Sequence, residues 1–502
     1  MSKQKTQEAP QVTDSNALIE AKIENMKQLQ MRGINPFPYR FAQTAFAGEL
    51  QKKYAHLTNG EVTTETVSVA GRVMSHRNSG MFIDLRDGTG KIQIFSHKDS
   101  VPADLLEQMA YYDIGDIIGV TGVVRRTPRG ELTINTQKSE MLGKSVRPLP
   151  EKYHGIHDTE IKYRQRYLDL IMNEESRETF RKRSAIITSI RQQLLTENFM
   201  EVETPMLHPI PGGASAKPFV THHNALDMKL YLRIAPELYL KRLIIGGFDR
   251  VFEINRCFRN EGISVKHNPE FTSVEIYQAY ADYNDMMSLT ERLIEGAAKI
   301  ANDGQTKVKF GENEIDFKAP WPRKTMVELV KEATKVDFAQ IPDAAEAAKK
   351  ADELGVNIKP GSNWGEVVEA IFADKVEDTL IQPVHIIDLP KDISPLAKVH
   401  RANDNLTERF ESYVNGWEVA NAFSELNDPF DQLARFKAQM EAREMGNEEA
   451  QMLDEDFVEA LEYGMPPTGG LGIGIDRLVM LLTNSQSIRD VIAFPTLRHT
   501  AK

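Results

Sequence analysis

The chain has 502 residues, which is too long for a single hydrophobic core, so at least two domains are expected. Its one cysteine, Cys257, excludes an internal disulfide and a cysteine-based zinc site. The formal net charge of −12 affects solubility and does not exclude a local basic surface. Since the sequence shows neither an apolar run long enough to cross a bilayer nor a signal-peptide pattern, we expect a cytoplasmic protein with no membrane segment.

Residues 1–60 are expected to form a polar tail followed by helices. The tail runs through MSKQKTQEAP, and a helix is predicted from about Asn16 to Met31. Gly33 and Pro36 should end this helix, because glycine and proline are the common residues just beyond a helix C-terminus.

Residues 61–146 change to a pattern of short strands. Five runs have strand character, with a helical stretch after the third: TVSVAGRVMSH, MFIDLRD, KIQIFS, DIIGVTGVVRR and ELTINTQ. This order predicts an OB-fold barrel. On such a barrel Phe82 is placed to stack an unpaired base while Arg72 and Gln93 read its edge, although each of the three is equally compatible with an ordinary surface residue.

Residues 147–174 are predicted to be a linker, because RPLPEKYHG carries proline and glycine where a connection between domains belongs. The second domain is placed at residues 175–502. It opens with a long helix to about Asn198, and a following strand ends at Pro205, which suits a sheet edge or an interface.

Between Arg250 and Tyr280 the sequence predicts two antiparallel strands joined by a polar loop. Alternation places Phe271, Glu275 and Tyr277 on one face of the returning strand, while Arg259 ends the outgoing strand. Taken singly, these residues fit a solvated hairpin. Together they supply a guanidinium for phosphate, a ring for a flat base and a carboxylate for an ammonium group.

The segment near residues 306–390 shows no comparable chemistry. Thr325 and Glu328 form a capping-box pattern, and DAAEAAKKADELG reads as a further helix. We therefore expect a helical insertion there.

A second hairpin is predicted in RFESYVNGWEVANAFSELNDP, because Asn415-Gly416 is a strong two-residue turn signal. This turn makes Glu411 and Glu418 diagonal neighbours on one face, at about 7–8 Å between backbones. Two carboxylates at that spacing suit a magnesium ion that is shared with substrate phosphates. Exposed, solvated glutamates are the alternative interpretation.

Three segments resemble the signature motifs of class II aminoacyl-tRNA synthetases. They are FMEVETPML, FRNE followed by HNPEFTSVEIY, and GLGIGIDRLVMLL, in the family's order. The resemblance implies an α+β protein, with an N-terminal OB-fold barrel and a C-terminal class II synthetase domain built on an antiparallel sheet flanked by helices. It also implies ATP, Mg²⁺ and tRNA as ligands, and a homodimer whose contact includes the helix and strand before Pro205.

The resemblance assigns roles around the nucleotide. It implies that Arg259 contacts the α-phosphate and the substrate carboxylate, and that Arg477 contacts the terminal phosphate of a bent ATP. Both are the expected catalytic residues. His267 would meet the pyrophosphate portion, Phe271 would stack on adenine, and Glu261 would read its amino group. In the barrel, Arg72, Phe82 and Gln93 would meet the central anticodon base.

The amino-acid pocket is expected to be acidic, with Glu275 and Glu425 beside Tyr277. Because a buried ammonium must be paired and hydrogen-bonded, this set favours L-lysine over neutral or acidic competitors. The resemblance, close to the bacterial lysine-specific members over nearly the whole chain, places Tyr277 and Glu425 on the ε-ammonium. It also adds three further lysine-binding residues: Gly213, Glu237 and Asn421.

Asn421 requires a local irregularity, because regular alternation would turn it away from Glu418; either a bulge or the end of the strand is needed near Ala420. The expected reaction is ATP-dependent activation of lysine followed by transfer to the 3′ end of tRNA(Lys). Two alternatives stay open, a sister enzyme for aspartate or asparagine and an RNA-binding paralogue without aminoacylation.

Overall fold

The computed structural model describes residues 13–78, 81–150, 158–447 and 449–498. The chain divides into two compact units, Met1–Gly155 and Ile156–Lys502. The expected polar tail lies mostly outside the described residues, as does the 151–157 part of the predicted linker.

The first unit is a closed five-stranded barrel with the strand order β1-β2-β3-β5-β4, which confirms the predicted barrel and its helix after the third strand. Apolar side chains that alternate along the strands fill its interior, with Val73, Ile83 and Ile94 fully buried. Its elements are α1 (Thr13–Met31), α2 (Ala47–Lys53), β1 (Val62–Arg77), β2 (Phe82–Arg86), β3 (Lys91–Phe95), α3 (Ala103–Met109), β4 (Ile117–Arg126) and β5 (Leu132–Gly143).

The second unit combines one large sheet with helices and small accessory sheets. Its first elements are α4 (Thr159–Arg164), α5 (Arg166–Met172), α6 (Glu174–Thr196), β6 (Met200–Glu201), β7 (Leu207–His208), β8 (Val220–His223), β9 (Met228–Leu232), α7 (Glu237–Ile245), β10 (Arg250–Phe258), β11 (Glu270–Ala279) and α8 (Tyr283–Ala301). Next come β12 (Lys307–Phe310), β13 (Asn313–Asp316), β14 (Arg323–Thr325), α9 (Met326–Thr334), α10 (Ala344–Glu353), α11 (Trp364–Lys375) and β15 (Val384–Ile387).

The remaining elements complete the sheet and cover it. They are β16 (Val399–His400), β17 (Asn403–Thr407), β18 (Arg409–Val414), β19 (Trp417–Ser424), α12 (Pro429–Glu444), α13 (Glu455–Glu462), β20 (Thr468–Gly474), α14 (Ile475–Leu482) and α15 (Ile488–Val491).

The large sheet has eight strands in the order β14-β15-β18-β19-β20-β11-β10-β6. Its central pairs are antiparallel, as predicted, while the pairs at its two edges, β14 with β15 and β10 with β6, are parallel. Helices α6, α8 and α14 cover one face. Val274 and Ile276 of β11 point into this helical layer, so the neighbouring side chains of β11 lie on the opposite face.

Helix α6 buries Ile186, Ile190 and Leu194 completely in the core of its own unit. Its apolar stripe, at a four-residue spacing, is thus accounted for by packing within the chain. Strand β6 ends at Glu201, before Pro205, and lies at the sheet edge. Within the described residues, no helix combines the length and the apolar character that crossing a membrane demands.

The segment expected to be a helical insertion is only partly helical. Between residues 306 and 390 it carries α9, α10 and α11, and it also carries β12, β13, β14 and β15. The last two strands belong to the large sheet, so this segment contributes to the sheet as well as to the surface. These two strands were not predicted, because RKT and VHII are too short to show the two-residue alternation of a strand.

Candidate active site

Two of the residues predicted to bind the nucleotide, Arg259 and Phe271, lie on the β10–β11 hairpin, whose register pairs Cys257 with Phe271 and Glu253 with Glu275. Arg259 follows β10 immediately, and its guanidinium carbon lies 5.1 Å from the Phe271 ring centre. A guanidinium group and a flat aromatic ring are therefore neighbours, as expected of residues on one surface of the sheet.

Arg477, in the first turn of α14, connects two other predicted residues. It donates to His267 Nε2 at 2.9 Å and to the Glu418 backbone oxygen at 2.7 Å, and it lies 3.4 Å from Glu418 Oε2. Burial and the positive charge of Arg477 lower the pKa of His267, so the imidazole is neutral at physiological pH. The structure brings Arg477, His267 and Glu418 together at one edge of the site.

The β18–β19 hairpin contains the irregularity that Asn421 required. Tyr413 pairs with Glu418, but Ser412 pairs with Ala420, so Val419 is an extra residue and forms a bulge. Glu411 consequently lies directly opposite Asn421, and both share a face with Glu418.

Arg409 links the two sides of this hairpin. Its guanidinium donates to Glu411 Oε1 at 2.6 Å and to Asn421 Oδ1 at 3.2 Å. Tyr413 Oη donates to Glu411 Oε2 at 3.1 Å, so both carboxylate oxygens are occupied by protein donors. Burial raises the pKa of Glu411 to about 7 despite the opposing charge of Arg409.

Glu411 and Glu418 supply the hard oxygen donors that magnesium prefers. Across the ranges that the structure describes, no group of three or more acidic, histidine or cysteine side chains is arranged to hold a metal. Two carboxylates on one face fit an ion that completes its coordination with substrate phosphates and water, and they do not fit an all-protein cage.

The residues predicted to bind the amino acid surround Glu425, which follows β19 and is 1% exposed. Lys241 Nζ lies 2.5 Å from Glu425 Oε2, whereas Glu425 Oε1 is buried without a hydrogen-bond partner. Burying an unpaired carboxylate oxygen is costly, so this atom is an acceptor that a ligand would satisfy.

Glu275 and Tyr277 of β11 lie on the same pocket. Tyr277 Oη donates to Glu275 Oε2 at 3.2 Å. Tyr277 pairs with Gly470 of β20, where an added Cβ would lie 1.8 Å from Glu425 Oε1 and 2.8 Å from Tyr277 Cε1. The absence of a side chain at Gly470 therefore leaves the space in which these three groups converge.

Glu237 opens α7 and is 6% exposed. Gly213 packs against it with φ +85, and a Cβ there would lie 3.0 Å from Glu237 Cβ. Positive φ and close approach both favour glycine, so the backbone of this loop reaches the pocket only because Gly213 lacks a side chain.

Burial is the largest cause of the pKa shifts of the carboxyl groups in the pocket. It raises the pKa of Glu275 to about 8, and the nearby Glu237 charge adds to this effect. It also raises the pKa of Glu237 and that of Glu425, although Lys241 opposes both shifts. Carboxyl groups held in this state gain strongly from a cationic ligand.

The predicted site residues of the second unit thus fall into three groups on one face of the sheet. In this unit, Lys241 and Arg409 were not among the predicted residues. Lys241 and Arg409 both touch predicted site residues. The available signal for Lys241 was its position four residues after Glu237 on one helix. Glu261 lies exposed in the loop between β10 and β11, and its role at adenine stays a prediction.

On the barrel, Phe82 and Gln93 share an outer surface between β2 and β3. Phe82 pairs with Phe95, with ring centres 5.0 Å apart, and Gln93 Oε1 accepts from Thr133 Oγ1. Arg72 is half-buried and donates to the Gly115 carbonyl. Aromatic surface and polar edges are therefore available together, and Phe95 was not among the predicted residues.

Comparison with known proteins identifies both units. Residues 158–498 match the family described as tRNA synthetases class II (D, K and N), and residues 67–142 match the family described as OB-fold nucleic acid binding domain.

Full-length relatives agree with these matches. A lysine–tRNA ligase of Sinorhizobium medicae is 54% identical over 486 residues, covering 97% of each chain. One of Carboxydothermus hydrogenoformans is 54% identical over 96% of this chain and 98% of its own, and one of Bacillus subtilis is 52% identical over 98% and 99%. The chain therefore belongs to the class II tRNA synthetases and, within them, to the lysine–tRNA ligase family.

Proposed function

We propose that this enzyme joins L-lysine to tRNA(Lys) in two steps at this site, and that only the first step consumes ATP. The lysine carboxylate attacks the α-phosphorus of ATP, which forms lysyl-adenylate and releases pyrophosphate. A hydroxyl of the terminal tRNA ribose then attacks the acyl carbon and releases AMP. Neither step requires a side-chain nucleophile, so catalysis consists of positioning and charge stabilisation.

The observation that carries the choice of lysine is the unpartnered oxygen of Glu425 beside Tyr277 and Glu275. An ε-ammonium group carries three donors, which these oxygens would accept. Aspartate or asparagine would leave the acidic groups unpaired. The nearest cation, Lys241, already contacts two carboxylates and does not serve an acidic substrate.

The other residues receive their predicted roles in this proposal. Glu237 faces the α-ammonium group, with Gly213 and Asn421 completing the lysine site. Arg259 stabilises the charge that develops at the α-phosphate, and Arg477 with His267 holds the distal phosphates. Magnesium, held through Glu411 and Glu418, would neutralise phosphate charge when bound.

The barrel is proposed to bind the anticodon through Arg72, Phe82 and Gln93. A homodimer is also proposed, since Met200, Met206 and Leu207 expose apolar side chains in and after β6. Because its substrate is tRNA, we place the enzyme in the cytoplasm.

The proposal is tested by measuring the exchange of pyrophosphate into ATP in the presence of each of a panel of amino acids in turn. We expect exchange with lysine and none with aspartate, asparagine or methionine; exchange with aspartate in place of lysine would overturn the assignment. Arg259→Ala should reduce exchange by at least about 100-fold, the effect typical of losing one transition-state donor. Arg256→Ala is the control, since Arg256 lies on the same strand and pairs with the exposed Glu270.

A further inference from the structure

The described residues include an ammonium group inside the acidic pocket that the proposed reaction does not use. Lys241 Nζ lies 2.6 Å from Glu237 Oε1 and 2.5 Å from Glu425 Oε2, and its side chain is fully buried. One ammonium group therefore bridges the two carboxylates that are proposed to face the two ends of the substrate.

The surroundings of Lys241 hold it in place. Phe423 of β19 and Phe457 of α13 present their rings to the ammonium at 5.4 Å and 5.8 Å. Rings at these distances favour a cation while excluding water. A lysine on an apolar helix usually extends its ammonium to solvent. Lys241 does not, so its charge belongs to the pocket.

Lys241 is charged in this environment. Burial alone would lower its pKa, but attraction to Glu237 and Glu425 outweighs this effect and raises the pKa above its ordinary value. A buried ammonium needs an ionised partner. At least one of the two carboxyl groups is therefore ionised while the pocket is empty.

The charges of the pocket residues match the two ammonium groups of L-lysine. The pocket holds three carboxyl groups, Glu237, Glu275 and Glu425, and one ammonium. When all three are ionised, Lys241 neutralises one of them and leaves two uncompensated negative charges. Lysine brings two ammonium groups, and its carboxylate is assigned to Arg259. Arg409, the other cation near Glu237, is already paired with Glu411.

We propose that Lys241 is a positioning residue that sets the charge of the amino-acid pocket, so that it keeps Glu237 and Glu425 oriented and leaves room for two further positive charges. This inference rests on the proposed function, because it assumes that L-lysine occupies the pocket. Without Lys241, the carboxyl that it holds ionised takes up a proton in the empty enzyme. Because Glu237 and Glu425 are both proposed to face an ammonium group of the substrate, lysine must displace that proton in order to bind, and the complex then lacks the one positive charge that Lys241 supplies.

The test is the number of protons released when L-lysine binds to the full chain. It is measured by isothermal titration calorimetry in two buffers of different ionisation enthalpy. For Lys241→Met we expect about one proton more than for the parent at about pH 8. We also expect lysine affinity to fall by at least about tenfold, which corresponds to one pKa unit of lost interaction. A merely structural role would leave the proton count unchanged.

Two further variants complete the design. Lys241→Arg keeps the charge and should release as many protons as the parent, which still tests the proposal if Lys241→Met does not fold. Lys144→Met is the matched control in the barrel, because Lys144 is a buried lysine that contacts the carboxylates of Asp113 and Asp116 at 2.5 Å and 2.7 Å. It should lower the unfolding temperature without changing the proton count.

The outcomes separate the two proposals. If the parent does not bind lysine, the proposed function fails. If the parent binds lysine and Lys241→Met releases the same number of protons with the same affinity, the role of Lys241 is overturned and the lysine assignment stands. A proton count for Lys241→Arg that differs from the parent by about one would also overturn it.

Discussion

The proposed position of Glu275 in the lysine pocket should make lysine binding pH-dependent. Its pKa is raised to about 8 in the empty pocket, mainly by burial, so the carboxyl is largely protonated at lower pH. An ammonium ligand favours the ionised form, and binding below this pKa must release the proton. We therefore expect lysine affinity, measured by calorimetry without ATP, to fall by up to about tenfold per pH unit as pH decreases from about 8 to about 6.5.

The control for this prediction is Glu275→Gln, which cannot titrate. Its lysine affinity should be lower than that of the parent and should vary less over the same pH range. An affinity of the parent that rises as pH falls would contradict the sign of the argument. The same linkage makes the ligand-free enzyme less stable as pH rises through the raised pKa, because the folded state holds a proton that the unfolded chain has already released.

Single residues of the pocket differed in how far the sequence could predict them. Strand alternation predicted that Glu275 and Tyr277 share a face, and their hydrogen bond agrees. The spacing of Lys241 from Glu237 indicated a possible pair, but the burial of Lys241 could not be predicted, because it depends on Phe423 and Phe457, which lie far away in the sequence. Periodicity gives the face of a helix but not the partner that covers it.

At the scale of elements, β20 forms the floor of the pocket because glycines replace side chains there. An added Cβ at Gly470 would collide with Glu425 Oε1 at 1.8 Å. Gly470→Ala should therefore displace Glu425 and reduce lysine-dependent pyrophosphate exchange by at least about tenfold, chiefly through a higher KM for lysine.

Gly472→Ala is the matched control on the same strand. An added Cβ there would lie 3.8 Å from the Asn421 backbone oxygen and from Glu275 Cγ, which is ordinary van der Waals contact. Because Glu425 stays in place, Gly472→Ala should reduce exchange less than Gly470→Ala does, even though Gly472 pairs with Glu275 and with Asn421. Equal losses in both variants would show that the strand tolerates no side chain and would remove the specific role of Gly470.

Some features of the strands could be predicted from the sequence, and others could not. The Asn415-Gly416 turn predicted the β18–β19 hairpin and its first pairs, since that turn sets its own register. The bulge at Val419 was required by the position of Asn421 and has no signal of its own in WEVANAFS. Strands β14 and β15 were not predicted, because they are far apart in the sequence and pair in parallel, so that no tight turn joins them.

At the scale of the whole molecule, the residues proposed for tRNA recognition and those proposed for the chemistry lie on separate units. All residues assigned to ATP and lysine belong to Ile156–Lys502, and those assigned to the anticodon belong to Met1–Gly155. Each unit has its own buried core. Changes on the barrel surface should therefore affect the step that uses tRNA and spare the step that does not.

Phe82→Ala tests this separation. Stacking on an aromatic side chain contributes about 1–3 kcal/mol per base, so the variant should aminoacylate tRNA(Lys) about 5- to 150-fold less efficiently in kcat/KM. Lysine-dependent pyrophosphate exchange should be unchanged, because it does not involve tRNA. Phe46→Ala is the control, since Phe46 is a 43% exposed phenylalanine of the same unit that directly precedes α2 and belongs to neither β2 nor β3. If Phe82→Ala lowered both activities equally, the ring would contribute to the folded structure and not to anticodon binding. Stacking on a tRNA base cannot influence a reaction from which tRNA is absent.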